Sequence, residues 1–186
     1  MFSILDYKIT ETVHERSPTI VYRALRQSDQ VSVILKTFNV EFPTPKAILC
    51  LKHEYALLKT LNIKGVIKAF ALEKWNNGLV LVLEDIKGDS LAAYLDERPL
   101  RWEAVSEIGI QVAENLNALH SQHIIHKDIN PNNIIYEPKS KRIQLIDFSI
   151  ATTHFQTVQK EKNPDRLEGS INYISPEQTG RINCPV

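Results

Sequence analysis

The sequence predicts an α+β fold, in which a strand-rich first part carrying one helix gives way to the start of a helical second part. Three observations point there. β-Branched and aromatic residues crowd positions 20–25 and 31–38. Asn76-Asn77-Gly78 separates two apolar runs, which is a strong hairpin signal. From position 102 to 120 the apolar residues recur at helical spacing.

The elements follow in order. Positions 7–13 alternate partly with period two, and 20–25 and 31–38 read as strands joined at Ser28-Asp29-Gln30. Pro43-Thr44-Pro45 marks a loop. Ile48, Leu51, Tyr55 and Leu58 then share one stripe, so 46–61 is expected as an amphipathic helix. Strands are expected at 66–72 and 79–83. After Gly88 the character changes. A short helix is expected at 90–95 and a long one at 102–120, with Val105, Ile108, Val112, Leu116 and Leu119 inward. Two short strands, 134–136 and 143–146, flank the turn at 137–141. The stretch from Ala151 onward is polar and rich in Thr, Asn and Pro.

Composition excludes several classes. Hydrophobic residues make up 43% of 186, enough for a globular core. Twenty-two basic residues balance 22 acidic ones, so charge gives no reason to expect nucleic acid or an anionic membrane as partner. No apolar run reaches membrane-spanning length, and the N-terminus lacks a signal-peptide layout. Two distant cysteines, Cys50 and Cys184, suggest a reducing, cytoplasmic setting without a disulfide framework or structural zinc.

Asp128, Asn133 and Asp147 are the chemical centre. Asp128 and Asn133 flank a short stretch that Pro131 stiffens, and Asp147 follows an apolar strand. Phosphoryl transfer asks for such a set: one carboxylate to orient a hydroxyl, and hard oxygen donors for Mg²⁺. Singly, each residue is a common turn former; the reading rests on the set. His126 reads as a structural hydrogen-bonding residue rather than a base or metal ligand.

The string His126-Lys127-Asp128-Ile129-Asn130-Pro131-Asn132-Asn133, followed by Ile146-Asp147-Phe148-Ser149, resembles the H-R-D-L-x-x-x-N and D-F-G pair of protein kinases. Val33-Ile34-Leu35-Lys36 resembles their V-A-I-K strand, and Ser175-Pro176-Glu177 their A-P-E motif. Gly169-Ser170-Ile171-Asn172-Tyr173 is similar to the substrate-facing loop before that motif. The resemblance runs along nearly the whole chain in the family's order. HKDINPNNI and YISPEQTGR are similar to the serine/threonine-kinase-like N-terminal domains of large bacterial multi-sensor signalling proteins.

The resemblance implies a two-lobe fold, with an N-lobe over 1–87 and an incomplete helical C-lobe over 88–186. It implies ATP and Mg²⁺, with Asp128 as base and Asn133 and Asp147 on metal. Lys36 would take the α/β-phosphates, paired with Glu54 on the following helix. Glu84-Asp85-Ile86 would be the hinge after a gatekeeper, Leu83, with Val21 and Ile135 above and below adenine. The implied partners are an unidentified protein substrate and downstream signalling domains of a longer parent protein. Thr152, Thr153 and Thr157 are phosphorylation candidates, although a Thr-rich loop is more often only a loop.

The pattern is broken in four places. His14, Arg16 and Thr19 stand at the glycine positions of the phosphate-covering loop, and Pro18 lacks a donor N–H. Asn130 replaces a lysine that contacts the γ-phosphate. Lys127 and Ser149 replace the arginine and glycine of the two motifs, which makes switching by activation-loop phosphorylation less expected. The sequence ends soon after Glu177, so a domain fragment is expected, with part of the packing surface of the 102–120 helix uncovered. Two alternatives to a protein kinase stand: a pseudokinase-like interaction module, and a small-molecule phosphotransferase. The long segment from Asp147 to Glu177 argues against the second.

Overall fold

The computed structural model describes residues 3–153 and 169–179. Thr157 and Cys184 lie outside them. The chain divides into two compact units: Met1–Leu61 with Ile67–Ile86, and Asn62–Val66 with Lys87–Val186.

The first unit is an antiparallel sheet with one helix. Its strands are β1 (Ser3–Ile4), β2 (Tyr7–Arg16), β3 (Thr19–Arg26), β4 (Ser32–Phe38), β5 (Ala69–Trp75) and β6 (Gly78–Glu84), and the helix α1 is Pro45–Leu58. The spatial order is β1-β2-β3-β4-β6-β5. β6 reads as continuous apolar sequence, and Leu79 through Leu83 are all buried because both sheet faces are covered there. On one face Ile4, Tyr7, Ile9, Ala24, Val33, Leu35, Val80 and Val82 form a core. Against β5 and β6 packs α1, burying Leu51, Glu54, Leu57 and Leu58. Thr44 caps α1 by accepting from the Ala47 N–H at 3.2 Å, and Pro45 stands where its missing N–H costs nothing. The helix ends at Leu58, three residues before the expected end.

Two expectations change here. β2 and β3 run on through the phosphate-covering stretch and leave only Ser17 and Pro18 as the turn, so this stretch is a tight hairpin. Glu15 pairs with Ile20 and Arg16 with Thr19, and Asn39 N–H donates to the Pro18 carbonyl at 3.0 Å. The strand expected from Val66 begins only at Ala69. Val66 instead forms a parallel bridge with Leu145 in the second unit.

The second unit holds β7 (Asp89–Ser90), α2 (Leu91–Glu97), α3 (Trp102–His120), β8 (Ile124–Ile125), β9 (Ile134–Glu137), β10 (Arg142–Leu145) and β11 (Thr152–Thr153). Ser90 caps α2 through its hydroxyl, which accepts from Ala93 N–H at 3.2 Å. β9 pairs with β10 and with β7, and β8 with β11. α3 packs on β10 and β8. Its Gln111 extends this contact, donating to the Lys141 carbonyl at 2.8 Å and accepting from Ile143 N–H at 3.2 Å. Of the expected stripe on α3, Ile108 and Leu119 are buried and Val112 and Leu116 half-buried, whereas Val105 is exposed. β10 is bonded to the helix further along, at Gln111. Gly65 lets this unit close, since a Cβ there would collide with the Asn115 side chain. Among the described residues no helix is long and apolar enough to cross a membrane.

Candidate active site

The first unit gathers one group of candidates. Lys36 lies in β4 opposite Val21 of β3 and Leu81 of β6, and Ile34 lies opposite Leu83. Directly opposed residues, and residues two apart in a strand, share a face, so Val21, Lys36 and Leu83 sit on one face of the sheet. Glu54 reaches Lys36 from α1. Lys36 Nζ donates to both carboxylate oxygens, at 3.0 and 2.8 Å, and Glu54 is only 1% exposed. A carboxylate buried this deeply needs a cation, and a single lysine satisfies both of its oxygens.

Glu84, Asp85 and Ile86 leave the end of β6 half-buried. The Glu84 N–H is occupied, donating to the Lys68 carbonyl at 2.9 Å, and Glu84 Oε2 is buried without a hydrogen-bond partner. Asp85 is the anchor of this stretch. Arg23 Nε donates to both of its oxygens at 3.2 and 3.1 Å, and the Ser32 hydroxyl donates at 2.6 Å. Arg23 also pairs with Glu11. This network was not anticipated, because its members lie in four separate strands or their ends.

The second unit gathers the other group. Asn133 closes the 3₁₀ turn Pro131–Asn133. Its Nδ2 donates to Asp128 Oδ2 at 2.8 Å and to the Asp128 carbonyl at 2.9 Å. With both amide hydrogens spent on Asp128, its Oδ1 is left as an acceptor or metal donor. The Asn133 carbonyl accepts from Ile146 N–H at 3.0 Å, which brings the next residue, Asp147, beside it. Asp147 is left-handed, with φ 62°, and its Oδ1 accepts from Ser149 N–H at 3.3 Å. Aspartate tolerates this conformation better than most residues. Ile135 is half-buried in β9, opposite Ser90 and Gln144.

Asn130, expected only as a missing lysine, is 3% exposed and fully engaged. Its Oδ1 accepts from Asn132 N–H at 2.9 Å, and its Nδ2 donates to the Asp128 carbonyl and the Ser170 hydroxyl, each at 3.2 Å. It braces the loop. His126 is structural in the way its sequence context suggests. Its Nδ1 accepts from Asp128 N–H at 3.3 Å, so the proton sits on Nε2, which donates to the Ile146 carbonyl at 3.0 Å. The ring meets Phe148 edge-on at 4.5 Å. Burial pushes its pKa below the ordinary 6.5, although the Ile146 carbonyl and the nearby Asp147 and Asp128 charges pull the other way.

Sequence reasoning missed the part played by residues 170 and 178. Ser170 N–H donates to Asp128 Oδ1 at 2.8 Å, and Gln178 Nε2 donates to the Lys127 carbonyl at 2.9 Å. Both bonds span some 40 to 50 residues of sequence, 42 and 51 respectively, where no local pattern can signal them.

Comparison with known proteins gives the family. The protein kinase domain family matches residues 7–183. The chain is similar to serine/threonine-protein kinase ATG1a of Arabidopsis thaliana, with 26% identity over 92% of the chain and 27% of that protein. It is similar to a probable serine/threonine-protein kinase of Clostridium perfringens, with 28% identity over 92% of the chain and 25% of that protein. It is also similar to the Raf homolog serine/threonine-protein kinase of Caenorhabditis elegans, with 29% identity over 78% of the chain and 18% of that protein. The chain thus spans about a quarter or less of the length of these relatives. With a match over nearly its full length, this chain belongs to the protein kinase domain family.

Proposed function

We propose that the chain transfers the γ-phosphate of ATP to serine or threonine hydroxyls of a protein substrate. The observation that carries this reading is the Asp128–Asn133 pair. Asn133 fixes the Asp128 carboxylate from one side while keeping its own Oδ1 available. In this reading Asp128 orients the attacking hydroxyl and accepts its proton.

The metal donors fit Mg²⁺ in kind. Asn133 Oδ1 and the Asp147 carboxylate are hard oxygens held in neighbouring backbone by the Ile146–Asn133 bond. Phosphate oxygens and water would complete such a shell, and a bound Mg²⁺ would neutralise charge developing on the phosphates. Lys36, oriented by Glu54, would take the α/β-phosphates. Val21, Leu83, Glu84, Ile86 and Ile135 would line the adenine site. The lobes would be 1–87 and 88–186. A signalling role, a cytoplasmic location and further domains in a longer parent protein belong to the same reading.

A second reading, an interaction module with little turnover, is favoured by the tight β2–β3 hairpin. Strand pairing runs to Arg16 and Thr19, and the hairpin has no glycine with which to approach phosphates closely. Incubation with Mg²⁺ and γ-labelled ATP separates the readings, with casein and a panel of small alcohols as acceptors. Label on serine or threonine of casein supports the kinase. Label on small alcohols alone, or none on either acceptor, rejects it.

A further inference from the structure

We propose that Gln178 is a positioning residue for Asp128, acting through the backbone of Lys127; the kinetic part of this proposal rests on the phosphotransfer reading above. Lys127 directly precedes Asp128 and is left-handed, with φ 67°. This conformation carries a steric cost for a residue with a Cβ, so it persists only where its surroundings hold it.

Gln178 supplies a hold from the far side of the segment. Its Nε2 donates to the Lys127 carbonyl at 2.9 Å. Its Oε1 accepts from the Ser175 N–H at 3.2 Å and the Ser175 hydroxyl at 3.0 Å, which fixes the amide's orientation. Gly169 fits the same junction, with φ 112°, which L side chains rarely adopt, and a Cβ there would lie a tight 3.0 Å from the Lys127 carbonyl oxygen. The next residue, Ser170, donates its N–H to Asp128 Oδ1. Gln178 therefore clamps residues 169–178 onto the strained peptide, and that segment in turn orients one oxygen of Asp128. Without the amide, Lys127 can relax toward negative φ, which rotates the peptide linking it to Asp128.

The test compares the 186-residue chain with Gln178→Met, which keeps length but makes neither bond. Two measurements are made: initial rates of casein phosphorylation at varied ATP, and hydrogen exchange at the Ser170 amide. The expected result is a kcat lower by about tenfold with the KM for ATP within about twofold, and faster Ser170 exchange. Wild-type exchange at Ser170 in the variant overturns the proposal, whatever its kcat. Accelerated exchange with wild-type kcat also overturns it, because the clamp would then not reach Asp128. If Gln178→Met does not fold, Gln178→Glu is read by the same criteria, since it keeps the acceptor for Ser175 and loses only the donor to Lys127. If the wild-type chain transfers no phosphate, the phosphotransfer reading fails by itself, and exchange at Ser170 still decides whether Gln178 holds the segment.

Discussion

Lys36 Nζ bonds both carboxylate oxygens of Glu54, at 3.0 and 2.8 Å, with the lysine side chain 12% and the glutamate 1% exposed. Charges this dry are costly alone and tolerable together. Glu54→Ala removes the buried carboxylate that both bonds of Lys36 reach and is expected to destabilise the first unit by about 3 kcal/mol. Combining Lys36→Met with Glu54→Leu should recover most of that loss, because it removes both charges and keeps the volume. Urea denaturation of the three variants checks this. Equal midpoints for wild type and Glu54→Ala would mean that the pair is effectively solvated.

The resemblance implies a lysine where this chain has Asn130, so Asn130→Lys looks like a repair. The structure predicts the opposite. The lysine would lose the cap on Pro131–Asn133 and the bond to Ser170, and would place a charge at a site 3% exposed. The expected outcome is a stability loss of about 1–2 kcal/mol and no gain in phosphotransfer. Chemical denaturation and an initial-rate assay read both, and a faster, equally stable variant would show that Asn130 does not brace the loop.

His126 makes stability depend on pH. Its pKa is lowered in the folded chain, chiefly by burial, so the unfolded chain takes up the proton first as pH falls. Its contribution is complete above the ordinary value of 6.5 and is lost as pH falls from there through the lowered folded value. His126→Phe removes the titrating group and should flatten the decline between pH 7.5 and 5.5. Urea midpoints at the two pH values measure it, and an equal decline in both proteins would assign the dependence to other groups.

Much of this was legible in the sequence because its signals are local. The ends of α3 follow from one apolar period running from Trp102 to His120. Glu54 shares the inward stripe of Leu51 and Leu58, and the Lys36 contact follows from the cost of burying it. The failures are non-local. Val66 looks like the start of a strand, yet pairs with Leu145, 79 residues on. Val105 fits the periodicity of α3 but is exposed. The stretch expected to cover phosphates pairs as strands through Arg16 and Thr19, although it lacks the glycines of the family pattern. Asn130 and Gln178 show their use only when segments 40 or more residues apart are brought together.

In the proposed reaction Asp128, held by Asn133, accepts the proton of the attacking hydroxyl. Its most direct test is the rate of Mg²⁺-dependent γ-phosphate transfer to casein by wild type and Asp128→Asn. Asparagine keeps the side chain's size and one acceptor oxygen, enough for the Ser170 N–H but not for Asn133 Nδ2 as well, and it cannot accept the substrate proton. The account predicts measurable wild-type transfer that falls by at least about a hundredfold in Asp128→Asn, with nucleotide binding retained. Equal transfer by the two proteins would contradict it.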